Sequence, residues 1–185
     1  PQARSSLPAI RQAIVEGRLA EADRRVETEF LGQNERFGHF TSLGDLKLRL
    51  AHGDSATDYR RSLDLSRSLG EVTYRVGEVT YRREYFCSYP AQLLVMRFEA
   101  SQPGQVSLTI GAKVIQPQHE ISAVENRFLI EGLIDGSGRP FQLVLEAENE
   151  GGKVEAWGDS LHIAGADALT LRLSIATDHE LAYPD

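Results

Sequence analysis

The sequence predicts a mainly β protein: an antiparallel β-sandwich with a short αα-hairpin at its N-terminus. Two observations support this prediction. From about residue 43, apolar and polar residues alternate as in strands with one buried face, and turn signals recur roughly every eight to twelve residues. Beyond residue 43 no apolar pattern of helical period intervenes, which excludes a parallel sheet with crossover helices. We therefore predict one domain, residues 1–185, in which a helical hairpin (1–32) packs on a β-sandwich (43–178).

The N-terminal segment predicts two short helices. The first would begin at Ser6, with Pro8 in its first turn, and would stop at Gly17, while the second would end at Gly32. Two short helices cannot enclose a core of their own, so their apolar faces would have to pack on another part of the chain. The apolar residues at helical spacing are Leu7, Ile10 and Ile14 in the first helix and Leu19, Ala22, Val26 and Phe30 in the second.

The rest of the chain predicts about ten short strands. The first contains Leu46, Leu48 and Leu50, which alternate with charged residues. The tetrad EVTY occurs at 71–74 and again at 78–81, which we interpret as the two arms of a hairpin that turns at Gly77. Further strands are predicted at residues 93–100, 106–110, 127–133, 141–148, 153–157, 160–164 and 168–176.

Composition and charge exclude several classes of protein. Lys and Arg total 20 against 27 Asp and Glu, and the scattered basic residues argue against binding to nucleic acid or to an anionic membrane. A single cysteine, Cys87, excludes an intrachain disulfide, and we predict that it is a small buried side chain in a strand. We expect no signal peptide and no transmembrane segment, which is compatible with a secreted or a cytoplasmic location.

Common catalytic and metal-binding motifs are missing from the sequence. It has no Cys/His cluster, no HExxH, no glycine-rich phosphate loop, no GxSxG and no EF-hand spacing. We therefore expect no metal and no cofactor. Glu146, Glu148 and Glu150 share one face of a predicted strand, for which a solvated acidic surface is the simplest interpretation. His162 alternates with apolar neighbours and should face solvent.

Three segments together resemble the N-terminal domain of glycoside hydrolase family 95, the α-L-fucosidases. The first is residues 7–48, a helical hairpin followed by the strand entry LGDL. The second joins residues 58–65 to residues 72–110, which include the S-x-P-x-Q turn at residues 88–92. The third is residues 151–178, which are similar to the last strands of that domain. The order and spacing of these segments make the resemblance more specific than any one of them.

This resemblance implies a fold, a function and partners. The fold is a galactose-mutarotase-like supersandwich placed before a helical (α/α)6 catalytic barrel. Because the catalytic carboxylates of the family belong to the barrel, no residue of this chain is assigned a catalytic role. The implied function is a carbohydrate-associated accessory domain that is not catalytic by itself, with carbohydrate and a catalytic domain as its partners.

Two other functions compete with this hypothesis. A stand-alone galactose mutarotase (aldose 1-epimerase) would need a base and an acid in one cleft, and His119 and His162 with Glu146 or Glu148 are the residue types available. The other alternative is an assembly domain without a sugar ligand, whose unmatched strand edges would be covered in a homodimer.

The residues predicted to face carbohydrate are Arg36, His39, Phe40, Asp45 and Trp157. Arg36, His39 and Asp45 could donate or accept hydrogen bonds with sugar hydroxyls, while an aromatic ring covers the apolar face of the sugar. Trp157 precedes a predicted hairpin turn at Gly158-Asp159, which would leave its ring exposed. For Asp45 the alternative is a structural role, capping the turn that leads into the first strand.

Overall fold

The computed structural model describes residues 2–31 and 41–180 of the chain. It divides into two units, residues 1–40 and residues 41–185. The two units are described separately below. The predictions that the chain forms one domain and that the helical hairpin packs on the sandwich stay predictions.

The first unit is helical, as predicted, but its first helix begins earlier than expected. Helix α1 spans Gln2–Val15, helix α2 spans Leu19–Arg25, and a stretch of π-helix, Val26–Phe30, continues α2. The predicted start at Ser6 is wrong, since Pro8 lies inside α1. A proline has no N–H to donate to the carbonyl four residues earlier, which weakens the helix there without ending it. Buried Ile10, Ala13 and Ala22 hold the helices together.

The second unit contains twelve strands in two antiparallel sheets. The four-stranded sheet has the order β1-β6-β11-β10, and the eight-stranded sheet has the order β2-β3-β4-β5-β12-β9-β8-β7. The predicted β-sandwich is therefore confirmed. The strands are β1 Gly44–Leu50, β2 Thr57–Asp64, β3 Leu69–Val76, β4 Val79–Ser88, β5 Leu93–Ala100, β6 Val106–Val114, β7 Gln118–Val124, β8 Arg127–Leu133, β9 Pro140–Glu150, β10 Lys153–Trp157, β11 Ser160–Ala166 and β12 Ala168–Thr177.

The core lies between the two sheets, because each strand turns alternate apolar side chains inward. Leu108, Leu161, Phe128 and Leu169 are among its fully buried members, two from each sheet. The small sheet packs mainly on β5, β7, β8 and β9 of the large one. In contrast, β2 is exposed along its whole length. At β3 and β4 the inner face of the large sheet buries a second, smaller cluster, Val72, Tyr74 and Tyr81, while the flanking Tyr59 and Tyr85 stay exposed.

Two strands were not predicted from the sequence, and one side chain was wrongly predicted to be buried. None of the residues concerned is buried. The sequence predicts neither β2 nor β7, which are the two edges of the large sheet. An edge strand with little buried surface has little apolar alternation to reveal it. Cys87, predicted to be buried, is exposed. It follows Tyr85 on the inner face of β4, where Tyr85 is exposed as well.

Candidate functional site

Trp157 lies where the sequence predicts it, at the end of β10 beside the hairpin turn to β11. Gly158 adopts a φ of +60°, a conformation that suits glycine in a tight turn. The Trp157 side chain is 61% exposed. Its ring packs against the ring of His162, with the two centroids 4.3 Å apart. A large aromatic surface is thus held in a fixed orientation toward solvent.

Hydrogen-bonding groups adjoin Trp157 on the outer face of the four-stranded sheet. His162 Nδ1 is 3.3 Å from Thr109 Oγ1, and His162 Nε2 is 3.0 Å from Ser160 Oγ. The Ser160 hydroxyl also donates to the carbonyl oxygen of Trp157 at 3.0 Å. Continuing the register of β11 and β6 places Gly111 beside Ser160, and a Cβ atom built on Gly111 would meet open space. We call Trp157, Ser160, His162, Thr109 and Gly111 the Trp157 platform.

The predicted carbohydrate-facing residues do not converge on one place among the described residues. Asp45 is the second residue of β1 rather than part of a turn, and its exposed side chain lies opposite Lys113 of β6. It shares the outer face of the small sheet with Trp157, but β1 and β10 are the two edges of that sheet. Three strand spacings separate these edges, or roughly 14 Å. Arg36, His39 and Phe40 lie outside the described residues.

The residues considered for a mutarotase do not assemble into an acid–base pair. His162 lies on the outer face of the small sheet, whereas Glu146 and Glu148 lie on the outer face of the large sheet. These two surfaces are on opposite sides of the sandwich. The two carboxylates also have arginine partners, Arg127 at 3.2 Å and Arg172 at 2.5 Å. The predicted acidic surface is thus confirmed, although its charges are paired.

His119 has a local role of its own. Its Nδ1 is 2.6 Å from the carbonyl oxygen of Gln116, the one buried polar or charged residue of the described chain. The Gln116 amide donates to the carbonyl of Ser42 at 2.7 Å and accepts from the N–H of Asp135 at 2.8 Å. These contacts join the segment before β1 to the β6–β7 and β8–β9 connections. His119 therefore belongs to a structural junction.

Sequence reasoning missed a cluster of aromatic residues on the inner face of the large sheet. The rings of Tyr59, Tyr74 and Tyr81 form a row, with centroid distances of 6.4 and 5.3 Å. His52 Nε2 is 2.7 Å from the Tyr74 hydroxyl, and burial raises the pKa of both Tyr74 and Tyr81. The predicted turn at Gly77 was the available signal, because a two-residue turn that pairs Val76 with Val79 also places Tyr74 opposite Tyr81.

Two further classes of site receive no support from the described part of the chain. Residues 2–31 and 41–180 contain no group of three or more His, Cys, Asp or Glu side chains placed to hold a metal ion. Within the same ranges, the helices are too short or too polar to cross a membrane.

Comparison with known proteins gives a family match over nearly the whole chain. The model of the family described as glycosyl hydrolase family 65, N-terminal domain, matches residues 1–181. This match confirms the predicted resemblance to the N-terminal domain of a glycoside hydrolase. It names family 65, where the resemblance of the three sequence segments named family 95.

Similar individual proteins include α-fucosidases. The chain is 26% identical over 206 residues to alpha-L-fucosidase 2 of Arabidopsis thaliana, which covers 97% of this chain and 24% of that protein. It is 34% identical over 70 residues to probable alpha-fucosidase A of Aspergillus oryzae, which covers 38% of this chain and 10% of that protein. The chain thus spans at most about a quarter of the length of these relatives. The solved structure of a putative kojibiose phosphorylase from human microbiome aligns with a TM-score of 0.48 and 11% identity, covering 71% of this chain and 22% of that chain.

Proposed function

The chain belongs to the family of glycosyl hydrolase family 65 N-terminal domains, and from this premise we propose that it is the accessory domain of an α-L-fucosidase-type enzyme that binds carbohydrate at the Trp157 platform. The family match over residues 1–181 carries the accessory role. The α-fucosidase relatives support the finer assignment, a domain of the family 95 type. The mutarotase alternative is not favoured, because its candidate residues lie on opposite surfaces.

The Trp157 platform supports carbohydrate binding through the chemistry of its side chains. An exposed indole ring offers an apolar surface to the C–H face of a sugar, and its packing on His162 limits the entropy lost on binding. The Ser160 and Thr109 hydroxyls and the His162 ring lie beside it as hydrogen-bonding groups. The absence of a side chain at Gly111 leaves room for a ring on the same surface.

We also propose association with a helical (α/α)6 catalytic domain. The family description places this domain at the N-terminus of glycoside hydrolases, and the chain corresponds to 24% of the Arabidopsis relative. A homodimer is the competing arrangement. Light scattering of the purified chain distinguishes the two, since a monomer contradicts the homodimer and a stable dimer favours it.

Saturation-transfer NMR of the purified chain tests the carbohydrate proposal. The probes are fucose, galactose, glucose and a fucosylated oligosaccharide, with anomeric exchange recorded in the same tubes. We expect binding without faster exchange, and we expect Trp157→Ala to abolish it. The matched control is Tyr89→Ala, which removes an exposed aromatic ring far along the chain from the platform.

Three results would contradict this proposal. Equal carbohydrate binding by the wild type and Trp157→Ala would show that the Trp157 platform is not the binding site. Accelerated exchange of galactose would restore the mutarotase alternative. Hydrolysis of an aryl fucoside by the chain alone would show that the domain is itself catalytic.

A further inference from the structure

Two arginines face the same open part of the inner face of the eight-stranded sheet. Arg61 of β2 lies opposite Val72 of β3, and Val72 lies opposite Arg83 of β4. Since neighbouring strands are about 4.8 Å apart, the Cα atoms of the two arginines are separated by roughly 10 Å. Both side chains are long enough to meet above Val72. The fold therefore places two arginines on the same face of three neighbouring strands.

The same-face positions of β2, β3 and β4 around these arginines hold no carboxylate. On the same face, the neighbouring positions of β2, β3 and β4 hold aromatic, aliphatic or glycine residues, so the local charge is positive although the whole chain carries a formal charge of −7. Like charges close together repel each other unless a counter-charge joins them. These neighbouring residues are Tyr59, Leu63, Gly70, Tyr74, Tyr81 and Tyr85.

Arg83 also has a donor without an acceptor. Its Nε atom is buried and has no hydrogen-bond partner within the described ranges. Its Cζ lies 5.1 Å from the centroid of the Tyr74 ring, which holds the guanidinium in place by a cation–π contact. A buried N–H without an acceptor costs free energy. Arg83 as a whole is only half-buried, so an external anion would bind the outer nitrogen atoms of its guanidinium group rather than the buried Nε.

Exposed aromatic rings lie on both sides of the line that joins Arg61, Val72 and Arg83 across the three strands. Tyr85 is 41% exposed and Tyr59 is 58% exposed. The outer end of the Tyr85 ring covers Gly70, where a Cβ would come within 2.3 Å of a ring atom. Because Gly70 has no side chain, the ring can lie against the sheet, on the same face as Arg61 and Arg83.

We propose that Arg61, Arg83 and Tyr85 form a binding site for an acidic sugar, whose carboxylate joins the two guanidinium groups while its ring stacks on the tyrosine. A planar guanidinium matches a carboxylate through paired N–H···O hydrogen bonds. The aromatic surface favours a uronic acid over an acidic peptide, because a flat ring contributes more against a pyranose than against an extended chain. This site does not depend on the Trp157 platform, which lies on the other sheet.

Titration of the purified chain by saturation-transfer NMR and calorimetry tests the site. The probes are the methyl glycosides of glucuronic and galacturonic acid, with the methyl glycosides of glucose and galactose as neutral counterparts. We expect the uronides to bind and the neutral glycosides not to bind at the same site. Arg61→Gln and Arg83→Gln should each weaken uronide binding by about tenfold or more, and added salt should weaken it as well.

Arg82→Gln is the matched control, since it removes the same charge from the opposite face of the same strand. It should leave uronide binding unchanged, as should Trp157→Ala. Arg61 is exposed, so Arg61→Gln keeps the test valid if Arg83→Gln fails to fold.

Five results would overturn the proposal. Four are no uronide binding, equal affinity for neutral glycosides, affinities unchanged by both arginine substitutions, and loss of uronide binding in Trp157→Ala. The fifth is binding of N-acetylglutamate amide as tight as that of the uronides, which would assign the arginines to an acidic protein segment instead.

Discussion

The outer and inner faces of the eight-stranded sheet are made by the same strands but differ in how their arginines are paired. On the outer face, Arg82 contacts Glu71 at 2.5 Å, Glu84 at 2.7 Å and Glu99 at 3.7 Å. The hydrogen bond with Glu71 is the main reason that the pKa of Arg82 is raised. On the inner face, the next residue, Arg83, has no carboxylate partner in the described part of the chain.

This difference shows on which face the described residues supply partners for their own arginines. The outer face continues the pairing across β5, β12 and β9, where Arg97 contacts both Glu99 and Glu150 at 2.8 Å. Its arginines Arg82, Arg97, Arg127 and Arg172 therefore each have a carboxylate partner. The inner face at β2–β4 has both unpaired charge and exposed aromatic surface, features that mark a binding surface.

The largest expected effect is a loss of stability when a glycine on the covered part of the inner face is replaced, compared with a glycine on the open part. In Gly132→Ala the new Cβ would lie 2.2 Å from the backbone oxygen of Gln118 and 2.9 Å from the Phe141 ring, so we expect a loss of about 3 kcal/mol in the free energy of unfolding. In Gly70→Ala the clash is with the outer end of the exposed Tyr85 ring, which can move aside. That variant should lose less than about 1 kcal/mol. Urea denaturation measures both, and equal losses would contradict the comparison.

An intermediate loss of stability is expected at Tyr74, the buried tyrosine next to the open part of the inner face. Tyr74 is only 3% exposed, and its hydroxyl contacts His52. Tyr74→Phe should lose about 1 kcal/mol at pH 7, because His52 loses its partner. The matched control Tyr59→Phe removes a hydroxyl from the exposed end of the same row and should leave stability at pH 7 unchanged.

The same variant should change the alkaline limit of stability. Burial raises the pKa of Tyr74, so above the unfolded value of about 10 the unfolded chain loses this proton first. The contribution of Tyr74 to stability is therefore complete below pH ~10 and is lost as pH rises through the folded pKa. Denaturation curves between neutral and strongly alkaline pH should show a shallower decline for Tyr74→Phe than for the wild type. An equally steep decline would contradict this assignment.

The smallest expected effect compares the two neighbouring arginines directly. Arg82→Gln leaves Glu71, Glu84 and Glu99 without their shared cation, and for a partly exposed network we expect a loss of about 0.5–1 kcal/mol that shrinks with added salt. Arg83→Gln loses a cation–π contact but relieves repulsion from Arg61, so its change should stay within about 0.5 kcal/mol. Thermal unfolding at two salt concentrations measures both variants. A larger loss for Arg83→Gln would mean that this arginine is structurally required.

Much of the fold was predictable because most strands show the alternation of apolar and polar residues within their own sequence. The strand at Leu93–Ala100 has the predicted bounds, and Gly77 turns the EVTY hairpin with a φ of +58°. The exposure of Trp157 followed from its place beside a turn. The edge strands β2 and β7 could not be found this way, because strands with few buried positions show little alternation.

The sequence by itself determined the class of fold, the positions of most strands along the chain, the acidic outer surface and the exposed tryptophan. Each of these depends on residues close together in the chain. Only the tertiary structure decided which inner-face positions the second sheet covers. That cover buries Phe128 and leaves Tyr85 and Cys87 exposed. The placement of Arg61 and Arg83 on one face depends likewise on the register of three strands. Register is a non-local property that alternation within one strand does not specify.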